Sequence, residues 1–428
     1  MLIEFATRNF MSFKNETVLS AETGERLSRL KKTNTLVENG YTLLKNLLIF
    51  GPNGAGKTNL LSGLRWMKQM VLQDRPTVTM KFPAYRPYVL NKDTQTSPVM
   101  FHVMFNTHGR TYAYEFSFNQ TEIVAEKLSI VTAGKATTYF ERQRQAYPIL
   151  PQHLDALQAT TKKNTLLLFT AQQMNDAPAI DVFQWFQNDL LFVERAEVSD
   201  ELVTLIEDER VKAAFLQFLH FADFNIVDIR VRHLERPQFP PQIRQMLATT
   251  GATVDELPRT LPALFTVHKE YNAAGDVVGE EELPLSSESK GTQKIFVIGL
   301  SVINAQLNGD GKTLLFDEFD DSLHVELSKA LIKIFNSAPN QNQFILTTHE
   351  LQLLNEEVRV DQIYLVDKDF QGVSDLKSIF DFDDARHNTR RDVSFMKRYM
   401  QGRFGALPVI DADEMLSALD GVMFQEER

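Results

Sequence analysis

The sequence contains no cysteine among its 428 residues. This absence excludes disulfide bonds, zinc sites built on thiolates, a C-x-x-C zinc hook and any cysteine nucleophile. Long apolar stretches are also missing, since no run approaches the roughly 18 residues that cross a membrane. The opening segment MLIEFATRNF lacks the basic and then apolar plan of a signal peptide. These absences predict a cytoplasmic protein with no membrane partner.

Positive charge is in short supply in this chain. It has 45 lysine and arginine residues against 56 acidic residues, which gives a net charge of −11. Such a balance repels nucleic acid, although a local basic groove could still bind it. The hydrophobic content of 43% is that of an ordinary globular protein. A chain of this length has room for two or three compact units with their own cores.

A glycine-rich turn between an apolar strand and a helix is present in the stretch Leu47–Leu60, LLIFGPNGAGKTNL. Gly51, Gly56, Lys57 and Thr58 fill the pattern G-x-x-x-x-G-K-[ST]. Such a loop turns backbone N–H groups toward phosphate, and the helix N-terminus adds positive potential. The lysine would reach the β- and γ-phosphates, and the threonine would bind Mg²⁺. We therefore predict a site for ATP and Mg²⁺ formed by Asn53, Gly54, Ala55, Gly56, Lys57, Thr58 and Asn59.

The segments around this loop predict the first half of an ATPase head, residues 1–135. The stretch Leu2–Ser20 alternates apolar and polar residues with a break, as two paired strands would. Val99–Asn106 and Arg110–Asn119 predict a β-hairpin, and Glu122–Thr132 predicts a further strand. Aromatic residues on one face of the hairpin favour core packing over base stacking. These residues are Tyr112, Tyr114, Phe116 and Phe118.

Helical patterns dominate residues 136–262, for example at Asp181–Phe192 and Asp200–Phe221. We predict a mainly α-helical insertion that splits the head. Heptads are not sustained, so a compact lobe is favoured over a coiled coil. Three arginines in this region could form a solvated face or a patch that contacts phosphate, namely Arg230, Arg232 and Arg236.

The second half of the head is predicted over residues 263–380. A strand at Pro262–Glu270 is followed by small and polar residues and then by an apolar helix that begins near Thr292. Ser289 and Gly291 precede this helix. They could be a simple helix cap or a second turn that binds phosphate.

Two strand ends complete the predicted chemistry. The strand Lys312–Glu318, KTLLFDE, ends in two acids, where Asp317 would hold Mg²⁺ and Glu318 would polarise the attacking water. The strand QFILTTHE brings His349 to its end, where an imidazole could contact a γ-phosphate. We therefore predict Glu318 and His349 as catalytic residues, and Asp317 together with Thr58 as metal ligands.

Two later features have competing interpretations. Asp367 and Asp369 follow the strand Gln362–Val366 and could hold metal in a topoisomerase–primase type of nuclease, but too few residues remain for that domain. We interpret this pair as a strand-end loop. The tail, residues 381–428, could dock a partner or pack as a C-terminal helix. Its basic residues include Arg386, His387, Arg390, Arg391, Lys397 and Arg398.

The order of these motifs is similar to that of ABC-type ATPases. The segments IEFATRNFMSF, FDEFDDSLH and TTHE resemble the SMC/RecF/OLD branch. The chain most resembles stand-alone ATPases of bacterial abortive-infection and anti-phage operons, in which SESKGTQK stands at the Leu-Ser-Gly-Gly signature position and QGRFGALP is typical. This resemblance implies an α/β fold, namely an ABC-type P-loop ATPase head split by an α-helical insertion.

The resemblance also implies a homodimer or higher homo-oligomer, in which two heads enclose two ATP molecules. Ser289 and Gly291 would then bind the γ-phosphate held by the opposite subunit, and Asp321 would lie in the loop that crosses the dimer. Lys290 and Thr292 depart from the usual signature. The glutamine of the family's Q-loop is sought in the region Tyr88–Thr96, which includes Gln95.

Three hypotheses follow for the function. The leading one is an ATP-hydrolysing sensor or scaffold of a bacterial defence system that controls a separately encoded effector protein, because the sequence has a full set of ATPase motifs and no effector domain. The alternative is a DNA-repair or chromosome-maintenance ATPase that binds DNA across its heads. A third reading is a nucleotide-gated assembly module with little turnover, as the unusual signature suggests.

Overall fold

The computed structural model describes residues 1–24, 27–193, 198–222, 224–235, 260–355, 357–382, 395–405 and 411–423. Arg236, Arg386, His387, Arg390 and Arg391 lie outside these ranges. The chain forms two compact units. One contains Met1 and Asn188–Leu346, and the other contains Leu2–Gln187 and Thr347–Arg428.

The described chain contains runs of consecutive strands separated by helices. In order, the strands are β1 (Leu2–Arg8), β2 (Thr17–Ser20), β3 (Thr35–Glu38), β4 (Tyr41–Leu44), β5 (Asn46–Phe50), β6 (Val99–Thr107), β7 (Arg110–Phe118), β8 (Ile123–Thr132), β9 (Lys135–Gln143), β10 (Ala146–Ile149), β11 (Leu190–Val193), β12 (Asp228–Glu235), β13 (Thr260–Tyr271), β14 (Val277–Pro284), β15 (Thr313–Phe316), β16 (Gln343–Thr347), β17 (Ile363–Lys368) and β18 (Ser374–Ser378).

The α-helices are α1 (Lys31–Asn34), α2 (Lys57–Leu72), α3 (Leu157–Thr160), α4 (Leu167–Gln173), α5 (Ala177–Gln184), α6 (Asp200–Leu205), α7 (Glu209–Phe221), α8 (Lys290–Leu307), α9 (Val325–Phe335), α10 (Phe395–Met400) and α11 (Ala412–Met423). A π-helical turn covers Trp185–Asp189, and 3₁₀ turns cover Gln152–Leu154, Leu285–Ser287, Leu351–Asn355, Val360–Gln362 and Ile379–Asp381. No helix of the described residues has the length and apolar character of a membrane span.

The unit Leu2–Gln187 and Thr347–Arg428 contains a seven-stranded antiparallel sheet in the order β10-β9-β8-β7-β6-β1-β2. The predicted N-terminal strand pair, the hairpin and the following strand are all confirmed. Strict alternation places the four aromatic side chains of β7 on the buried face, each at most 1% exposed: Tyr112, Tyr114, Phe116 and Phe118. Core packing was therefore the correct interpretation of these residues.

A second, mixed set of strands in the same unit leads to the nucleotide motif. The fully buried strand β5 pairs in parallel with β17, and β17 pairs antiparallel with β18. Strands β3 and β4 form a separate antiparallel pair. Helix α2 follows β5 and packs closely, since a Cβ added to its Gly63 would lie 3.0 Å from the Phe5 ring. This contact brings the helix against the antiparallel sheet.

The buried carboxylate of Glu126 fixes helix α4 to the seven-stranded sheet. The Glu126 side chain on β8 accepts hydrogen bonds from the Leu167 and Leu168 N–H groups at 2.7 and 2.9 Å and from the Tyr114 hydroxyl at 2.9 Å. Arg142, which is fully buried, lies 3.6 Å from the same carboxylate. Burial raises the pKa of Glu126, while the Arg142 charge and the hydrogen bonds oppose that rise.

The region predicted as a mainly helical insertion, residues 136–262, also contributes strands. β9 and β10 extend the antiparallel sheet, and β11 pairs in parallel with β15. The helix predicted at Asp181–Phe192 was therefore wrong at its end, because a short apolar run such as LLFV fits a strand as well as a helix. The helix predicted at Asp200–Phe221 is observed as α6 and α7, divided where Asp208 caps α7.

In the unit Asn188–Leu346 the described strands form a parallel set and an antiparallel set. Parallel strands lie in the order β11-β15-β16, and the antiparallel strands lie in the order β12-β13-β14. The predicted strand at Pro262–Glu270 and the apolar helix near Thr292 are observed as β13 and α8. Helix α8 packs on α7, where the Phe296 and Phe215 rings are 5.0 Å apart and Gly299 leaves space for Phe215. The predicted α/β class is confirmed.

Candidate functional site

The loop between β5 and α2 has a backbone that only glycine allows at two points. A Cβ added to Gly51 would lie 2.4 Å from the Val366 carbonyl oxygen on β17. A Cβ added to Gly56 would lie 2.5 Å from the Ser374 Oγ, and Gly56 has a φ of +122°. The loop is therefore pressed against the strands β17 and β18. Its tip is open, since Asn53, Gly54 and Thr58 are exposed.

The Lys57 side chain lies inside this loop. It is only 5% exposed, and its Nζ donates to the Gly51 carbonyl at 2.7 Å and to the Pro52 carbonyl at 3.2 Å. Gly56 is the N-cap residue of α2, and Leu60 N–H closes the first turn on its carbonyl at 3.1 Å. The structure thus places a cation and a helix N-terminus at one point, which is the arrangement that the motif predicts for phosphate.

The structure brings His349 to the same loop. The Lys57 Nζ lies 3.3 Å from the His349 Nδ1. An ammonium group can only donate, so this contact places the lone pair of the imidazole on Nδ1 and its proton on Nε2. The backbone before the histidine is held by the Thr348 N–H, which donates to the Ile49 carbonyl at 3.1 Å. An imidazole N–H donor beside the lysine suits contact with a terminal phosphate.

Two serines beneath the loop were not identified by sequence reasoning. Ser374 at the start of β18 donates from its Oγ to the Ala55 carbonyl and lies 2.7 Å from the Ser12 Oγ. The Asn59 Nδ2 donates to the Ser12 Oγ at 2.8 Å, and the Ser374 N–H donates to the Ser12 carbonyl at 2.8 Å. Ser12 lies in the segment NFMSF, part of a stretch that resembles the SMC/RecF/OLD branch, whereas Ser374 lies in no recognised motif.

In the other unit, Asp317 and Glu318 follow the fully buried strand β15, and both are half-buried. Glu318 has a φ of +46°, a left-handed conformation that costs a non-glycine residue about 1–3 kcal/mol. Its carbonyl accepts hydrogen bonds from the Lys294 Nζ and, at 3.1 Å, from the Asp321 N–H. Lys294, which the sequence reasoning missed, thus holds the backbone of the candidate base.

The signature segment packs against the loop that follows these acids. A Cβ added to Gly291 would lie 2.6 Å from the Ser322 carbonyl oxygen, so the first turn of α8 touches that loop. The Ser289 Oγ accepts from the Thr292 N–H at 3.1 Å and is the N-cap of α8. Glu288 anchors the turn through the His268 Nε2 at 2.6 Å. The capping interpretation of Ser289 is therefore correct within one chain.

The turn that follows β17 and the region predicted to contain the Q-loop glutamine both lie within the described residues. Asp369 accepts from the Gln371 and Val373 N–H groups at 2.9 and 2.8 Å, in a turn after β17 as predicted. The next residue in this turn, Phe370, is 96% exposed. Asp367, predicted in the same loop, lies instead within β17 and pairs with Asp375, because the strand continues to Lys368. In the region Tyr88–Thr96, where we expect the Q-loop glutamine, Gln95 is exposed and donates from its Nε2 to the Val89 carbonyl at 2.7 Å.

The arginines of β12 are paired with acids. Arg230 contacts Glu282 and also Asp228, at 3.5 Å, and Arg232 lies 2.6 Å from Glu282. The carboxylates raise the pKa of Arg230, and the two arginines lower the pKa of Glu282. For Arg230 and Arg232 the structure therefore favours the solvated face, because their positive charge is balanced on the sheet itself, while Arg236 lies outside the described residues.

Solved structures resemble this chain at low identity. The SMC head domain from Thermotoga maritima matches with a TM-score of 0.41 and 12% identity over 88% of this chain and 98% of that chain. An SmcHead bound to the C-winged helix domain of ScpA matches at 0.42 and 13% over 88% and 97%. An Smc head with an extended coiled coil, bound to the C-terminal domain of ScpA from Pyrococcus furiosus, matches at 0.43 and 12% over 88% and 96%.

No curated protein matches the chain. A family described as "AAA domain, putative AbiEii toxin, Type IV TA system" matches residues 47–355. This match covers more than half of the chain, and it begins at the strand before the phosphate loop and ends beyond His349. The protein is therefore a member of this AAA family and carries a P-loop ATPase domain.

Proposed function

We propose that the protein binds and hydrolyses ATP and uses the cycle as a switch in bacterial anti-phage defence, where it controls a separately encoded effector. The observation that carries the proposal is the contact of Lys57 with His349 inside the glycine loop. In our proposal this cation and the imidazole N–H donor both contact the terminal phosphates of ATP. The loop can therefore distinguish ATP from ADP, because only ATP offers the phosphate that reaches both groups.

The two side chains that we assign to Mg²⁺ belong to different units, and each by itself offers an oxygen ligand of the kind that the ion binds. The Thr58 hydroxyl is exposed at the start of α2, and the half-buried Asp317 carboxylate follows β15. Hydroxyl and carboxylate oxygens are the ligands that Mg²⁺ prefers. When bound, the ion would neutralise phosphate charge. In our proposal Glu318 accepts a proton from the attacking water, and its strained backbone supports this role, since such strain concentrates at functional sites.

The proposed switch works through a homodimer or higher homo-oligomer of heads. Ser289 and Gly291 would contact the γ-phosphate of a second copy, and their link to the loop after Glu318 supports communication between the signature and the base. The closed dimer of heads would be favoured only while the γ-phosphate is present, so hydrolysis of ATP would allow the two heads to separate. The same logic lets a closed state hold an effector and an open state release it.

We place the effector contact on the tail, residues 381–428. Helix α11 exposes Met415, Leu416 and Leu419, with exposures of 62, 59 and 68%. Asp413 and Glu414 lie in its first turn. An acidic helix with one apolar face fits a groove that is apolar at its floor and basic at its rim, so we expect a basic effector. The family's toxin–antitoxin description supports the defence role.

Two linked experiments test this function. First, phosphate release by the purified protein is compared with that of Glu318→Gln. Then the efficiency of phage plating is measured on cells with the native locus that carry wild type, Lys57→Ala or Glu318→Gln. Protection lost in both variants supports the proposal, whereas full protection by Lys57→Ala would exclude an ATP-driven defence role. Salt-dependent DNA binding without an effect on plating would instead favour the repair ATPase.

A further inference from the structure

A chain of three polar side chains supports the phosphate loop from below. Ser374 is 2% exposed and Ser12 is 9% exposed, and together with Asn59 they connect to the Ala55 carbonyl. Ser12 follows β1 and Ser374 begins β18, so the chain ties two distant segments to the loop. Buried hydroxyl groups almost always form hydrogen bonds. Each of these hydroxyls therefore holds the group to which it is bonded in a fixed direction.

The protons of this chain can be counted. The Ser374 Oγ contacts both the Ser12 Oγ and the Ala55 carbonyl, but a hydroxyl carries a single proton. A carbonyl can only accept, so the Ser374 proton is required there. The Ser374 hydroxyl is also the donor in its contact with the Ser12 Oγ, which accepts a second hydrogen bond from the Asn59 amide. The single Ser374 proton is thus shared between the Ala55 carbonyl and the Ser12 Oγ, so Ser12 affects how firmly Ser374 holds that carbonyl.

The hydrogen bond from Ser374 determines the direction of one backbone amide in the phosphate loop. In a trans peptide the C=O and the following N–H point in opposite directions. Ser374 holds the Ala55 carbonyl on its own side of the loop, so the Gly56 N–H points to the opposite side, away from Ser374. The close approach of Ser374 is possible because Gly56 has no side chain, since a Cβ there would lie 2.5 Å from the Ser374 Oγ.

We infer that Ser374 is a positioning residue for nucleotide phosphate, acting through the Ala55–Gly56 peptide, and that Ser12 acts through Ser374. This inference rests on the proposed ATP binding. Neither serine touches the phosphate. Ser374 fixes the direction of the Gly56 N–H group, which in this inference binds the phosphate. The loop then needs less reorganisation when the nucleotide arrives, so binding costs less free energy.

The test measures the dissociation constants of ATP and ADP for Ser374→Ala and Ser12→Ala. Ser378→Ala is the matched control, because Ser378 lies on the same strand and its hydroxyl accepts from the Phe380 N–H instead. We expect both nucleotides to bind Ser374→Ala about tenfold more weakly, the loss expected of one buried hydrogen bond. The rate of phosphate release at saturating ATP should stay within about twofold, so KM rises while kcat is kept. The unfolding midpoint without nucleotide shows whether each variant is folded.

The order of the chain is tested with the double variant Ser12→Ala/Ser374→Ala. Since Ser12 acts through Ser374, the double variant should bind ATP no more weakly than Ser374→Ala alone. Affinities of both single variants equal to that of Ser378→Ala would overturn the inference, and so would additive losses. If the wild type fails to bind ATP, the proposed function itself is refuted, and this result is distinct from wild-type binding with unaffected serine variants.

Discussion

Lys57→Ala offers the sharpest test of the phosphate loop. In the structure the amine is almost fully buried and donates to two carbonyls of its own loop, those of Gly51 and Pro52. On ATP binding the amine would exchange part of these bonds for phosphate oxygens. The substitution therefore removes one cation from the site and also leaves two loop carbonyls without this donor.

The size of the effect follows from the charge. A unit charge about 3 Å from a phosphate oxygen, at an effective dielectric constant of about 20, gives about 5 kcal/mol of attraction. Loosening the bonds of the amine to the loop carbonyls costs about 2 kcal/mol. The remaining stabilisation of about 3 kcal/mol corresponds to a dissociation constant raised about 150-fold in Lys57→Ala.

Isothermal titration with ATP and Mg²⁺ measures this change directly. Lys68→Ala is the control, because Lys68 lies on the same helix and its Nζ contacts the Gln187 carbonyl at 3.4 Å. We expect that variant to bind as the wild type does. A dissociation constant for folded Lys57→Ala within about threefold of the wild-type value would refute the assignment of the lysine to phosphate.

Three further outcomes are expected. Glu318→Gln should bind ATP normally and release phosphate at least about 100-fold more slowly, and normal turnover would remove Glu318 as the base. Gly56→Ala should lower the free energy of unfolding by about 2–4 kcal/mol, because its Cβ meets Ser374 at 2.5 Å; a stability change within 0.5 kcal/mol of zero, measured by urea unfolding, would contradict the close packing. Burial raises the pKa of Glu126 above its unfolded value, so its contribution to stability is fully present below about pH 4 and is lost as pH rises through the raised pKa. The stability of Glu126→Gln relative to wild type should rise over that range, and parallel pH profiles would argue against the shift.

Local patterns were enough to predict the candidate site. The loop Gly51–Thr58 depends on consecutive residues whose types are dictated by phosphate binding, and a strand that ends in Asp317 and Glu318 is visible in a single window. The contact between Lys57 and His349 was predictable only in part. The strand end indicated the histidine, but its partner is set by the packing of distant segments.

Long-range contacts explain what the sequence did not reveal. Ser12 and Ser374 are separated by 362 positions, and neither belongs to a periodic pattern that requires a serine. Lys294 lies on a helix face and meets Glu318 only after the chain has folded. The strand β11 was assigned to a helix because tertiary pairing with β15 decides the state of a four-residue apolar run.

The hairpin β17–β18 contacts both ends of the phosphate loop, through Val366 at Gly51 and through Ser374 at Gly56. Its turn presents Phe370 to solvent at 96% exposure. A dye attached at this position would therefore sit on the segment that touches the loop twice, yet outside the loop itself. The hairpin provides a natural place for an optical reporter that follows nucleotide arrival and departure in single molecules.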